Sequence, residues 1–523
     1  MEPSPHFDKL VDLLLTVGYV DGTFDQREKD FIRGYLDQLV DHVANEAQRD
    51  HFDAIFARLE AELAALAAEV TATGDESFVK NRLKIRAVAL FRAFSPADQA
   101  VALELVGALV AADGEVSPVE RKLHEELVAY FRAPRTANLP VAKPPTAEVL
   151  DVEPPRELEL AAHAHPLLEP LELAFATVAR PAGTDYELIF QAISVWERQR
   201  ARGNGRLAGV KDVTTLAPGT RFLDGHVHVL RPAHPVELVV LGDLHGCYAC
   251  LKAALLQSDF IERARRFQAA PATHPDIVLV LLGDYLDRGR FGFEGVLRTA
   301  LQLLVELPNH VVLLRGNHEY LMRLDGRIVS AVTPAEAVPG IADRVSTDVL
   351  EAYRHLFEHM PTSLLFDRTL FAHGGIPRDE TLAERYRDLS SLDDAVIRFE
   401  MLWSDPVDTD CIAADLQRES TRFMFGRDQF RAFMERVGCR AMIRGHEQVE
   451  EGFRPDFDVG GRRLFTLFSA GGSDNSDLPA TSRYRSVTPM ALTILRDGPI
   501  LRATPWPIRY APFCDAKHNG HYR

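Results

Sequence analysis

The stretch Gly242-Asp243-Leu244-His245-Gly246 decides the fold, and it directly follows the apolar run at residues 236–241. That run has the length and β-branched content of a buried strand, and the glycines mark its end. A carboxylate and an imidazole follow, two residues apart. Because open α/β sheets bind ligands at the carboxyl ends of their strands, these two side chains are candidates for one crevice.

Four further apolar runs end in the same way. Each leads into a segment that combines glycine with Asp, Asn or His: Gly283-Asp284-Tyr285-Leu286-Asp287-Arg288-Gly289, Arg315-Gly316-Asn317-His318-Glu319, His373-Gly374-Gly375 and Arg444-Gly445-His446. Glycine lets the backbone turn sharply at such a strand end. One segment of this kind is common by chance. Coincidence explains poorly that five independent strand ends all carry residues of the types that bind metals. The pattern predicts an α/β fold with a site built from strand ends.

Six side chains are the candidate metal ligands: Asp243, His245, Asp284, Asn317, His373 and His446. They offer only nitrogen and oxygen donors, which suit Mn, Fe or Zn better than Ca or a thiolate-binding metal. They are too many for one tetrahedral ion with an open position. Two ions that share a carboxylate would account for them. Two cations about 3.5–4 Å apart can lower the pKa of a water between them and clamp phosphoryl oxygens.

Length and composition limit the class of protein. A chain of 523 residues predicts two or more domains, and 46% apolar and 26% charged residues are typical of a soluble globular protein. The formal charge of −17 argues against binding to nucleic acid, and no apolar run approaches the roughly 18 residues of a membrane span. The first residues lack a secretory pattern, and five cysteines in so long a chain do not predict a disulfide framework. We expect a cytoplasmic protein with neither a membrane nor a nucleic-acid partner.

Residues 1–132 predict an all-α module. Apolar residues recur there at helical spacing, and two Asp-Gly turns, at residues 21–22 and 113–114, each precede a helix and a glutamate. In one interpretation these polar residues only cap helices. In the other, four carboxylates gather around a metal: Asp21, Glu28, Asp113 and Glu120. The repeated unit resembles that of the TerB-like (tellurite-resistance) domain, which implies a compact helical module that is a candidate for binding a metal or a protein partner.

The rest of the chain divides by composition. Prolines are frequent in the first part of residues 133–182, which we interpret as a semi-extended linker. Residues 183–505 predict the catalytic domain, with an entry helix near residues 185–200, and residues 506–523 a C-terminal tail. The predicted fold is therefore multidomain, with an N-terminal all-α module and a C-terminal α/β domain.

The strand-end motifs resemble, in order, those of the PPP-type serine/threonine protein phosphatases. The similarity continues through Trp403-Ser404-Asp405-Pro406, Phe425-Gly426 and Thr466-Leu467-Phe468-Ser469-Ala470, and it covers about residues 236–500. It implies a calcineurin-like metallophosphoesterase fold, in which two packed β-sheets are flanked by helices. It also implies two divalent ions, with Mn²⁺ expected first and Fe or Zn as alternatives. The implied substrate is phosphoserine or phosphothreonine in a protein or peptide.

The resemblance implies a role for each matching residue. Asp243 and His245 would hold the first ion, Asp284 would bridge the two, and the second ion would be held by Asn317, His373 and His446. Hydrolysis would proceed by direct attack of a hydroxide held by the two ions. The same resemblance makes His318 the general acid, which Asp287 would orient, and it makes Arg288 and Asn317 ligands of the phosphate.

Three segments depart from the family pattern. The family has a second phosphate-binding arginine between the Trp-Ser-Asp-Pro motif and Phe425-Gly426. Arg418 and Arg422 lie in this interval, neither of them at the usual offset, and Arg418 is our choice. A loop that carries a tyrosine in the family is replaced by Gly471-Gly472-Ser473-Asp474-Asn475, which should open the cleft. Residues 321–348 also differ from the family pattern, and we expect a cap or a disordered insertion there.

Two alternatives stay open at this point. One is hydrolysis of dinucleoside polyphosphates, which related metallophosphatases perform, although the motifs at residues 403–406 and 466–470 favour the protein-phosphatase branch. The other is a scaffold or sensor protein whose helical module recruits a protein partner.

Overall fold

The computed structural model describes residues 150–176, 182–324, 327–342, 345–419, 422–497 and 500–523, with residues 5–18, 96–110, 118–132 and single positions between 27 and 94. The chain divides into two compact units. One comprises residues 1–142 with 408–426, and the other comprises residues 143–407 with 427–523.

The described helices are α1 (Pro5–Gly18), α2 (Pro96–Val110), α3 (Pro118–Arg132), α4 (Leu168–Ala176), α5 (Ala182–Gly203), α6 (Tyr248–Gln257), α7 (Phe260–Ala269), α8 (Arg298–Glu306), α9 (Ala337–Ala342), α10 (Thr347–His359), α11 (Asp379–Arg385), α12 (Ala395–Trp403), α13 (Ala414–Glu419) and α14 (Arg427–Arg436). A π-helical turn, Gly292–Leu297, precedes α8. Among these helices none combines the length and the apolar character that a bilayer crossing requires.

The strands are β1 (Leu150–Val152), β2 (Thr220–Asp224), β3 (Val227–Arg231), β4 (Val236–Leu241), β5 (Asp276–Leu281), β6 (Val311–Leu313), β7 (Leu321–Leu324), β8 (Arg327–Ser330), β9 (Ser363–Phe366), β10 (Thr369–Ala372), β11 (Asp405–Pro406), β12 (Met424–Phe425), β13 (Ala441–Arg444), β14 (Phe453–Val459), β15 (Arg462–Leu467), β16 (Met490–Asp497) and β17 (Ile500–Pro507).

Within residues 1–132, which belong to the first unit, the described elements are helices. Helices α1, α2 and α3 pack around a shared apolar core that includes Leu14, Val106 and Leu127. The acidic residues of the two predicted turns lie outside the described residues, except for Glu120, which is buried in the first turn of α3. The all-α module and both interpretations of its Asp-Gly turns therefore stay predictions.

Two mixed sheets form the second unit. The first has the strand order β1-β17-β16-β4-β5-β6, and the second has the order β14-β15-β13-β10-β9-β3-β2. Side chains alternate across a strand, so β4 buries Leu238 and Val240 against the second sheet and turns Val239 and Leu241 toward the helices. The expected α/β fold of two packed sheets flanked by helices is confirmed for this unit.

The structure differs from the predicted boundaries in two segments. Within the predicted linker, β1 pairs with β17, Leu150 opposite Leu501, and Glu172 of α4 forms a buried ion pair with Lys252. The predicted tail is also packed: His518 O accepts a hydrogen bond from Lys252 Nζ at 2.6 Å. Both segments have apolar runs too short to show a period, so composition alone made them look unstructured. Residues 133–149 lie outside the described part of the chain.

Candidate active site

Five strand ends bring the predicted ligands together. Strands β4, β5 and β6 are mutually parallel, so the segments that follow them leave the same edge of the first sheet. Strands β10 and β13 are parallel neighbours in the second sheet, and they carry His373 and His446 at their carboxyl ends. The two sheets meet where Asp243 forms a bridge with Phe468. The resulting crevice contains ligands from both sheets.

Two glycines allow the carboxylates to approach the backbone. A Cβ atom at position 316 would collide with Oδ1 of Asp284, and one at position 445 would collide with Oδ1 of Asp243. Any side chain at these two positions would therefore collide with a ligand carboxylate. The backbone conformation of the ligands themselves is also unusual. Five non-glycine residues of the site have positive φ angles: His245 (42°), Asp284 (52°), Asp287 (62°), Arg288 (66°) and His446 (71°). Such strain is typical of functional sites.

Asp284 lies at the centre of the cluster. Its Oδ2 is 3.5 Å from Nε2 of His245, and its Oδ1 is 3.2 Å from Nε2 of His373. Ligand atoms within 4.8 Å of one another form two groups, one with His245 and His318 and one with His373 and His446, and Asp284 belongs to both. This arrangement fits a carboxylate between two cation positions.

Two oxygen atoms among the candidate ligands have hydrogen bonds left unmet within the described residues, and this also fits a site for divalent cations. The amide oxygen of Asn317 lies 3.0 Å from Nε2 of His373, 3.2 Å from Nδ1 of His446 and 3.1 Å from Oδ1 of Asp284. An acceptor that faces acceptors requires either rotation of the amide or a cation among these atoms. Within the described residues, Oδ2 of Asp243 is buried without a hydrogen-bond partner. A divalent cation would satisfy both atoms.

Burial sets the protonation of the cluster. Burial raises the pKa of Asp243 to about 8, and burial together with the Asp243 and Glu319 carboxylates raises that of Asp284 well above its usual range. Burial and the neighbouring imidazoles lower the pKa values of His245 and His373. Neutral imidazoles are the form that binds a metal, and a cation would relieve the repulsion between the carboxylates.

Next to the cluster lies a buried histidine–aspartate pair. Nδ1 of His318 is 2.7 Å from Oδ2 of Asp287, and the backbone N–H of His318 donates to Oδ1 of Asp284. Burial opposes ionisation of Asp287, but the His318 hydrogen bond and two backbone N–H groups outweigh it and lower the pKa of Asp287 to about 2. The pair can hold a proton at Nε2 of His318, on the side of Asp284.

The two predicted phosphate-binding arginines differ in setting. Arg288 follows Asp287 directly, and its side chain is 21% exposed. Arg418 lies in α13, is exposed, and belongs to the first unit together with Arg422. The role of Arg418 at the phosphate site therefore stays a prediction.

Glu319 is a site residue whose role the motif did not reveal. Its buried carboxylate accepts hydrogen bonds from the backbone N–H groups of Asp284, Tyr285, Leu286 and Gly316, at 2.9, 2.9, 3.3 and 3.0 Å. These bonds join the turns after β5 and β6, and so they position Asp284. The glutamate directly after Asn317 and His318 was a visible signal, but its partners lie in another segment.

Tyr484 was also missed by the sequence analysis. The loop at residues 471–475 lacks a tyrosine, yet the 3₁₀ turn Arg483–Ser486 stacks the Tyr484 ring on that of His245, with centroids 5.2 Å apart. Tyr484 is buried, and burial raises its pKa to about 12. No spacing signal in the sequence connects residues 245 and 484.

Known proteins resemble the second unit. Residues 236–450 match the family model of the calcineurin-like phosphoesterases. A probable serine/threonine-protein phosphatase of Encephalitozoon cuniculi is 27% identical over 288 residues, which cover 53% of this chain and 55% of that protein. The catalytic subunit of serine/threonine-protein phosphatase 4 of Saccharomyces cerevisiae is 26% identical over 242 residues. This match covers 45% of this chain and 68% of that protein. The chain thus spans about half the length of the first of these relatives.

Solved structures show a weaker likeness. A protein serine/threonine phosphatase from Saccharomyces cerevisiae has a TM-score of 0.40 at 19% identity, covering 63% of this chain and 90% of its own. A cold-active protein-tyrosine phosphatase from Shewanella has a TM-score of 0.34 at 14% identity, covering 54% and 82%. The likeness of the second unit to phosphatases is carried by the sequence matches and by the strand-end residues. Residues 236–450 are thus similar to the calcineurin-like phosphoesterases, and the sequence relatives described above are named as serine/threonine-protein phosphatases.

Proposed function

We propose that the protein is a metal-dependent phosphomonoesterase that hydrolyses phosphoserine and phosphothreonine in proteins. The observation that carries the proposal is the position of Asp284, which is shared by two groups of potential metal ligands. The names of the sequence relatives support the same activity, and they support it over hydrolysis of dinucleoside polyphosphates.

The six predicted ligands would hold two divalent ions, with Mn²⁺ as the proposed metal: Asp243, His245, Asp284, Asn317, His373 and His446. When bound, such ions supply a polarised water and positive charge for the phosphoryl oxygens. Side chains of the protein would bind and orient the phosphate group. Arg288 would bind two phosphate oxygens through its planar guanidinium, and Asn317 would orient a third.

The proton for the leaving group would come from His318. Asp287 holds Nδ1 of His318 at 2.7 Å, so the proton that can be transferred is at Nε2. The leaving serine or threonine oxygen takes this proton as the bond to phosphorus breaks, because a free alkoxide is a poor leaving group. Asp287 remains ionised and stabilises the imidazolium before the transfer.

The first unit has a separate proposed role. We infer a TerB-like helical module that binds a protein partner, supported by its repeated Asp-Gly turns and its helical core. Deletion of residues 1–132 should leave turnover of a short phosphopeptide unchanged and remove a partner in pull-down. A cytoplasmic location is likewise a proposal from composition.

The activity is tested with the intact, Mn²⁺-loaded chain. Turnover of a phosphoserine peptide and of diadenosine tetraphosphate is measured under the same conditions. We expect the peptide to be hydrolysed at least ten times more efficiently. Preferential hydrolysis of diadenosine tetraphosphate would overturn the proposal in favour of the nucleotide activity, and turnover of neither would favour the scaffold role.

A further inference from the structure

One turn of the segment 321–348 contacts both members of the Asp287-Arg288 dipeptide. The backbone N–H groups of Glu336 and Ala337 donate to Oδ1 of Asp287 at 2.8 and 2.7 Å. The backbone N–H of Arg288 donates to Oε2 of Glu336 at 2.6 Å. Both members of the dipeptide have positive φ angles, so these hydrogen bonds hold a strained backbone in place.

The same turn engages the side chain of Arg288. Nη1 of Arg288 donates to the carbonyl oxygen of Pro334 at 2.9 Å and lies 3.7 Å from Oε1 of Glu336. The Glu336 side chain is 53% exposed, so it can move into solvent without leaving a buried group unsatisfied. A carboxylate and a phosphate use the same guanidinium donors. Glu336 is therefore placed to compete with phosphate for Arg288.

We propose that Glu336 sets the phosphate affinity of the site: its carboxylate holds Arg288 when no substrate is bound and is displaced by the phosphate group. The inference rests on the proposed role of Arg288 as a phosphate ligand. It adds a residue that sets phosphate affinity, in a segment where the chain departs from the family pattern. The carboxylate lowers the affinity of the site for a phosphate group, whether it is on a substrate or is inorganic phosphate.

The backbone and the side chain of Glu336 have separable effects. Asp287 is held by backbone N–H groups at positions 336 and 337, which a side-chain substitution leaves in place. Only the affinity for phosphate depends on the carboxylate charge. A change of the side chain should therefore alter KM and leave kcat nearly unchanged, which is the pattern of an interaction made equally in the ground and transition states.

Glu336→Gln is the informative variant. Glutamine keeps an oxygen for the Arg288 N–H and removes only the negative charge. The matched control is Glu351→Gln, which makes the same change of net charge at another glutamate paired with arginine, 2.6 Å from Arg354 and 3.0 Å from Arg323. Both glutamates are partly exposed, so their side chains tolerate this substitution.

The test combines direct binding with kinetics on the intact, Mn²⁺-loaded chain. Titration calorimetry with inorganic phosphate should give a Kd about two- to five-fold lower for Glu336→Gln than for the parent, the scale of a partly exposed ion pair. KM for a phosphoserine peptide should fall by a similar factor. The Glu351→Gln control should match the parent in both measurements.

The outcomes separate this inference from the proposed activity. An unchanged phosphate Kd in Glu336→Gln, an equal shift in Glu351→Gln, or no phosphate binding by either protein would overturn the inference. A fall in kcat as large as the change in KM would also overturn it. Tighter phosphate binding by a protein that hydrolyses no phosphopeptide would uphold the role of Glu336 and reject the phosphatase activity.

Discussion

Nδ1 of His318 lies 2.7 Å from Oδ2 of Asp287, and both side chains are buried. Oδ1 of Asp287 accepts hydrogen bonds from the backbone N–H groups of Glu336 and Ala337, so the carboxylate cannot rotate away from the imidazole. This geometry leaves Nε2 of His318 as the position that exchanges a proton with a ligand. It also places His318 beside Asp284, where it belongs to one of the two potential metal groups.

His318→Asn should separate the role of a general acid from that of a metal ligand. We expect kcat to fall by roughly 10²–10⁴-fold, because asparagine cannot transfer the proton, while metal content stays at the parent level. Elemental analysis and phosphopeptide kinetics check this together. His274→Asn, at an exposed histidine, is the control and should change neither quantity. Loss of metal in His318→Asn would instead make His318 a ligand.

Asp284→Asn should lose metal and activity together. Asp284 offers one oxygen toward His245 and the other toward His373, so a neutral amide would weaken both proposed ion positions. We expect metal content to fall below that of the parent, with no measurable turnover at equal added Mn²⁺. The control is Asp458→Asn, which removes an exposed carboxylate paired with Arg463. Full metal loading of Asp284→Asn would contradict the shared-carboxylate arrangement.

The candidate ligands could be predicted from the sequence because each lies within a few residues of its own strand end. For Asp243, the strand end is marked locally by the apolar run at residues 236–241 and by the flanking glycines. Parallel strand order then brings the ends together, as the pairing of β4 with β5 does here. The C-terminal fold followed from the same motifs.

The contacts that sequence reasoning missed join segments that are distant in the chain. Tyr484 stacks on His245, and Glu336 contacts Arg288, without a motif that relates the partners. The short strand Leu150–Val152 was missed because three residues cannot show a period of two beside several prolines. Its place in the sheet is determined by β17, which lies at the far end of the chain.

Glu319→Gln should destabilise the second unit. Four backbone N–H groups converge on the buried carboxylate, and a glutamine amide would direct its own N–H donors at some of them. Leaving buried donors unsatisfied costs about 1–3 kcal/mol. We expect a lower free energy of unfolding in denaturant and weaker Mn²⁺ binding. Glu306→Gln, at an exposed position, is the control, and equal stability of the two variants would refute the role of Glu319.

Asp477 should make stability depend on pH. Its oxygens accept hydrogen bonds from the Ala249 N–H and the Tyr522 hydroxyl, but burial dominates and raises its pKa to about 6, from 3.8. The folded state therefore binds more protons than the unfolded state between these values, and stability falls as pH rises through the window.

The free energy of unfolding of Asp477→Asn, minus that of the parent, should increase by about 1 kcal/mol from pH 5 to pH 7.5, because the variant has no carboxyl group to ionise. Denaturant unfolding at the two pH values measures this difference, with the exposed Asp474→Asn as a control that should show no such change. A difference that is the same at both pH values would mean that Asp477 ionises equally in the folded and unfolded chains.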